Sequence, residues 1–91
     1  LGGGSSINGS LWKRGSRWDF DHWASLGATG WSFDEVLPVY RSIEDWAGGA
    51  NEWRGAGGLH HVRLPADPHP TAVAWIAAAR EMGLQIREDL N

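Results

Sequence analysis

Seven tryptophans in 91 residues set the strongest limit on how this chain can fold. A large aromatic side chain has roughly 150–250 Å² to bury, whereas a chain this short hides only a modest share of its surface when it folds by itself. No cysteine is present to staple it, and none can pair with histidine as a zinc site, so neither disulfides nor a structural metal replaces a missing core. Thirteen glycines add much irregular backbone. The chain is therefore expected to be an excerpt whose aromatic surface is covered by the remainder of the same polypeptide. It opens at Leu1 without an initiator methionine or a signal peptide, and it holds no apolar run long enough to cross a membrane.

The net charge of −3 gives no general attraction to nucleic acid. The charges are nonetheless uneven. Lys13, Arg14 and Arg17 make the first seventeen residues purely basic, while residues 18 to 91 hold eleven acids against five arginines. On charge alone, the three cations are expected to be an exposed, solvated group.

Residues 1 to 10 form a glycine-rich loop in which absent Cβ atoms let another group approach the backbone, with small hydroxyls among the amides. Such a loop can serve phosphate or a polar ring, or be a plain turn. It lacks the spacing of a dinucleotide fingerprint. Downstream, Asp19 is expected to cap a short helix to about Leu26, with Phe20, Trp23 and Ala24 on one face. Ser32 and Glu35 have capping-box spacing for a second helix, whose apolar stripe is Phe33, Val36, Leu37, Tyr40 and Ile43. Pro38 cannot donate to the carbonyl of Asp34, which predicts a kink or a restart. Turns dominate from Ala47 to Gly58, and Leu59 to Leu64 alternates like a strand. A third helix is predicted from about Pro70 to Met82, apolar nearly all round, followed by a brief extended segment from Leu84 to Arg87. The fold class is α+β, mostly helices and loops with few short strands.

In this order the residues resemble the first signature of the glucose-methanol-choline (GMC) oxidoreductases. Leu1, Gly2, Gly3, Gly4, Ser5, Ile7, Asn8, Trp12, Gly15 and Asp21 fit it in register, and Arg14-Gly15, Gly30-Trp31-Ser32, Val36-Leu37-Pro38 and Asp89-Leu90-Asn91 look like further landmarks. Leu59 departs from the proline common in relatives. The resemblance implies a fragment of a larger two-domain, Rossmann-like FAD enzyme that oxidises a small alcohol. Residues 1–18 would form the flavin-contacting loop and basic stretch, and residues 19–91 a helical, lid-like connecting portion. It also implies cofactor contacts at Gly3, Gly4, Ser5, Asn8, Gly9, Ser10 and Leu11. Some relatives carry, where this chain has Ile7, a histidine joined covalently to the flavin, so non-covalent FAD is expected here.

The histidine that takes the hydroxyl proton in similar proteins lies near their C-terminus, so no catalytic residue is assigned among His22, His60, His61 and His69. Neighbours on a strand point to opposite faces, which makes His60 and His61 poor joint metal ligands, and no metal site is expected. The pairs Asp19 with Asp21 and Glu44 with Asp45 read as helix-end and solvated charges. The competing readings are a tryptophan-rich module binding a small ligand or carbohydrate, and a purely structural segment.

Overall fold

The computed structural model describes residues 3–91, apart from the side chain of Ser5. After a 3₁₀ turn at Gly3–Ser6 come helix α1 (Arg17–Ser25), helix α2 (Phe33–Ile43), strand β1 (Glu44–Trp46), strand β2 (His60–Val62) and helix α3 (Pro70–Glu81). Helices and two short strands make the expected α+β chain.

Local chemistry sets the helix starts. Ser16, not Asp19, is the N-cap of α1, and Asp19 sits in the first turn with its carboxylate accepting from the Ser16 N–H at 2.7 Å. The capping box is thus shifted three residues upstream of the expected cap, because Asp19 serves better as its acidic partner. In α2 the predicted box is present: Glu35 accepts from the Ser32 N–H at 3.0 Å and from its hydroxyl. Asp21, the acidic position of the matched signature, reaches from α1 to accept the Phe33 N–H at 2.9 Å, which fixes the start of α2. The helix then runs through Pro38 with no restart. Pro38 forfeits one ladder bond, and the half-buried stripe of Phe33, Val36, Leu37 and Tyr40 holds the turns on either side against their neighbours.

Phe20 is the buried apolar side chain between α1 and α2, ringed by Trp23, Phe33 and Tyr40 at centroid distances of 5.6, 6.2 and 6.0 Å. Directly after Ile43 the chain becomes β1, an element that sequence reading had taken for helix-end charges. It pairs in parallel with β2 in the register Glu44↔His60, Asp45↔His61, Trp46↔Val62. The crossover holds no helix. Its turns are tied back instead by Trp46 N–H to Gly55 O at 2.9 Å and Gly58 N–H to Glu44 O at 3.1 Å. Helix α3 begins with Pro70 and is capped by His69, whose ring accepts the Thr71 N–H at 3.2 Å. Nearly all of α3 is exposed, including Val73, Trp75 and Ile76. Leu84 to Arg87 forms no strand.

The surface left open is large. The accessible area is 7493 Å² for 10.0 kDa, against about 5200 Å² for a compact monomer of that mass. The radius of gyration is 16.2 Å, against about 12 Å for a compact domain of this length. Five of the seven tryptophans, Trp18, Trp23, Trp31, Trp53 and Trp75, remain exposed. The chain by itself does not bury them, which leaves aromatic surface for the remainder of the polypeptide to cover, as the composition had indicated.

Candidate functional site

The glycine loop is a tight, exposed turn. Gly4 O accepts from the N–H groups of Ile7 and Asn8 at 3.1 and 3.0 Å, and the Asn8 side-chain oxygen accepts the Ser10 N–H at 3.0 Å. Beside that bond Ser10 adopts φ +52°, a left-handed conformation unusual for a residue with a Cβ. A Cβ built on Gly3 or Gly4 meets no atom within 4 Å, so the main chain there faces open space.

Of the seven expected cofactor residues, Gly9, Ser10 and Leu11 line a half-open cleft of about 610 Å³, facing Trp46, His60 and Leu64. Gly3, Gly4 and Asn8 lie outside that cleft on the same exposed loop. The expected contribution of the Ser5 hydroxyl, like the signature matches at Leu1 and Gly2, lies outside the described residues. Trp12 leaves the loop to pack on His60 at 4.2 Å between ring centroids.

The loop is rooted in a buried ionic cluster. Glu44 is fully buried and lies between two arginines that are themselves 6% and 4% exposed, Arg14 and Arg54. Glu44 Oε2 accepts from Arg14 Nη2 at 2.7 Å and from the Gly55 N–H at 3.0 Å, while its other oxygen accepts from Arg54. Arg54 also grips Asp89 with two parallel bonds, Nε to Oδ2 at 2.7 Å and Nη2 to Oδ1 at 2.8 Å, the fork geometry that suits a guanidinium. Arg14 donates further to the Trp53 carbonyl. Two residues past Asp89, the Asn91 side chain accepts the Arg14 N–H at 2.8 Å and donates to Trp12 O at 3.2 Å. Two carboxylates meet two guanidinium groups, so the cluster is neutral. This arrangement offsets the large cost of taking charges out of water. The bonds from Arg54 hold the Asp89 carboxyl down to about 2, against the opposing effect of burial. Burial also works against the charge of Arg54, but its bonds to Asp89 and Glu44 outweigh that and raise it above the ordinary arginine value.

Two readings of the sequence are corrected by this cluster. Glu44 is no solvated helix-end charge, and Arg14 is no member of an exposed basic group. Of its neighbours, Arg17 is exposed and pairs with Asp34 at 2.8 Å, and Lys13 is exposed. Sequence reasoning missed Glu44, Arg54, Asp89 and Asn91 as a unit. Arg14 and Asp89-Leu90-Asn91 stood out as landmarks, yet nothing local pairs residues 77 and 79 positions apart.

The histidines do not converge. His22 stacks on Trp18 at 4.9 Å, His60 packs on Trp12, His61 meets Asp45 at 2.7 Å, and His69 caps α3. The Asp45 carboxyl is held below its ordinary value first by the Gly57 N–H and then by His61. Among the described residues no group of histidines and carboxylates could hold a metal ion, and no helix is long and apolar enough to cross a membrane.

The sequence model of the GMC oxidoreductases matches residues 1–91. Among curated proteins, the oxygen-dependent choline dehydrogenases of Sinorhizobium medicae (strain WSM419) and Rhizobium meliloti (strain 1021) are each 43% identical over 91 residues. That of Brucella anthropi is 40% identical over the same span. In each case the whole of this chain aligns with 17% of the relative's length.

Proposed function

The chain belongs to the GMC oxidoreductase family, and from that membership we propose that it supplies the flavin-contacting loop of an FAD-dependent enzyme that oxidises a small alcohol. Residues 1–18 approach the cofactor. Residues 19–91 form the helical, lid-like portion that carries that loop and docks on the rest of the polypeptide.

The observation that carries this reading is the open space above Gly3 and Gly4. Main chain that is bare of side chains can come into van der Waals contact with a nucleotide, and glycines at a cofactor loop serve that end. The loop fits the group chemically as well. The hydroxyls of Ser5 and Ser10 are donors for pyrophosphate oxygens. The Asn8 carboxamide, whose oxygen is engaged by Ser10, keeps its NH₂ donors for an acceptor on the polar edge of a flavin ring. Gly9 and Leu11 carry the loop along the cleft wall. Ile7 has no nucleophilic atom, so the flavin is held without a covalent bond.

When bound, FAD supplies the two-electron acceptor for the alcohol carbon. The residues of this chain bind and orient it and, with Leu11 and Ile7 at the exposed face of the loop, exclude water from it. The group that takes the hydroxyl proton is assigned to the remainder of the enzyme, because the four histidines here cap a helix, pack on tryptophan or pair with Asp45. Choline is the first alcohol to test, since the relatives named above are choline dehydrogenases.

The test uses the full-length protein. It is expected to show the yellow flavin absorption, to lose that absorption on anaerobic addition of choline or a related alcohol, and to release all its flavin into the supernatant after acid precipitation. A purified, folded protein without flavin would contradict the reading. Flavin remaining on the precipitated polypeptide would contradict its non-covalent part.

A further inference from the structure

Glu44 takes no part in the chemistry described above, yet it is the fully buried carboxylate of the described residues and engages three partners. Its cluster joins three stretches distant in sequence: the exit of the glycine loop at Trp12–Arg14, the crossover at Arg54–Gly55, and Asp89–Asn91. The bonds made by Asn91 matter most for the loop. They hold Trp12 O and the Arg14 N–H directly, at 3.2 and 2.8 Å. The backbone one residue past Leu11 is thereby fixed on both sides of Lys13. Between that anchor and Asn8, the conformation is set by the single Asn8–Ser10 bond and the left-handed Ser10. An exposed loop with so few bonds of its own takes its position from its root.

We propose that Glu44 is a positioning residue for the cofactor: through Arg14, and through Arg54, Asp89 and Asn91, it fixes the exit of the glycine loop and so sets where residues 8–11 meet the flavin. The inference rests on the flavin reading of that loop. Bidentate and buried bonds restrict direction as well as distance, and preorganisation of a contact surface is what such a supporting layer contributes to affinity. Asn91 is the informative member, because it touches the loop root without carrying charge.

The experiment compares the full-length holoprotein with its E44Q, N91A and D34A variants, and reads the flavin dissociation constant and the visible circular dichroism of the bound flavin. E44Q and N91A are expected to weaken flavin binding by about tenfold or more and to alter the dichroism band, which reports the ring's surroundings. D34A, which removes an exposed ion pair from its α2 side, outside residues 1–18, is expected to change neither. A merely structural role would lower the unfolding temperature of E44Q and N91A while the remaining folded protein kept native affinity and dichroism, and that result overturns the proposal. If E44Q does not fold, N91A decides, and native flavin binding in N91A overturns it. If the unsubstituted protein holds no flavin, the flavin reading fails before this one is reached. If it holds flavin and both variants bind like it, only this one fails.

Discussion

At the scale of single residues, backbone approach and charge separate what can be changed from what cannot. A Cβ on Gly55 would lie 1.8 Å from the Arg41 carbonyl oxygen, and one on Gly58 would lie 2.3 Å from the Ile43 carbonyl carbon. Both contacts are with backbone that cannot swing aside, so Gly55→Ala is expected to destabilise the full-length protein by about 3 kcal/mol, the upper end of ordinary overpacking. Gly49 has φ +84° but nothing near its Cβ. Gly49→Ala should therefore cost only about 1 kcal/mol of left-handed strain, and urea unfolding of the two variants checks the contrast. Asp89 makes a prediction in pH. Its carboxyl is held down to about 2 by Arg54, from an ordinary value of 3.8. Its contribution to stability is therefore complete above pH 3.8 and lost as the pH falls toward 2. The stability difference between the native protein and D89N should shrink across that interval in unfolding curves taken from pH 5 down to 2. The sequence did not disclose why Gly55 must be glycine. The reason is a contact with residues fourteen positions earlier, and no local pattern records it.

At the scale of elements, starts were legible and pairings were not. A helix start is written in four consecutive residues, and the Ser32–Glu35 box was read from them correctly. The same chemistry at Ser16–Asp19 was assigned one partner too late, because Asp19 is a good cap in its own right. Removing the hydroxyl in Ser32→Ala should cost about 1 kcal/mol, while Thr29→Ala, in the loop before it, should be nearly silent in the same thermal scan. Strand β1 has only three residues, Glu44–Trp46, two of them acidic, and no propensity favours it there. It exists because Glu44 is drawn inward by two arginines and because the crossover residues Gly55 and Gly58 can lie against it. Helix α3 was read almost to the residue from Pro70, but its periodicity could not say what it packs on. Among the described elements none packs extensively against it.

At the scale of the whole molecule, the excess surface and the exposed tryptophans have one explanation. The chain spans 17% of the length of the relatives it matches, and the apolar sides of α1 and α3 await the rest of a larger enzyme. The composition was read correctly in asking for a partner, and the family signature identified the oxidoreductase. The ion cluster that roots the signature loop escaped, since it joins residues 14, 44, 54 and 89, which only folding brings together. Breaking it at its centre is expected to be costly: E44Q leaves two buried guanidinium groups short of one negative charge, a change on the order of 3–5 kcal/mol, and this should appear as a large fall in the urea midpoint of the full-length protein.

Contact between the glycine loop and the flavin is tested most directly at Gly4. A Cβ there meets no atom of this chain within 4 Å, so the loop itself leaves room for a side chain at that position. Gly4→Val in the full-length protein is therefore predicted to keep the unfolding temperature of the flavin-free form and to weaken flavin binding by about tenfold to a hundredfold. Native flavin affinity in a folded Gly4→Val protein would contradict it.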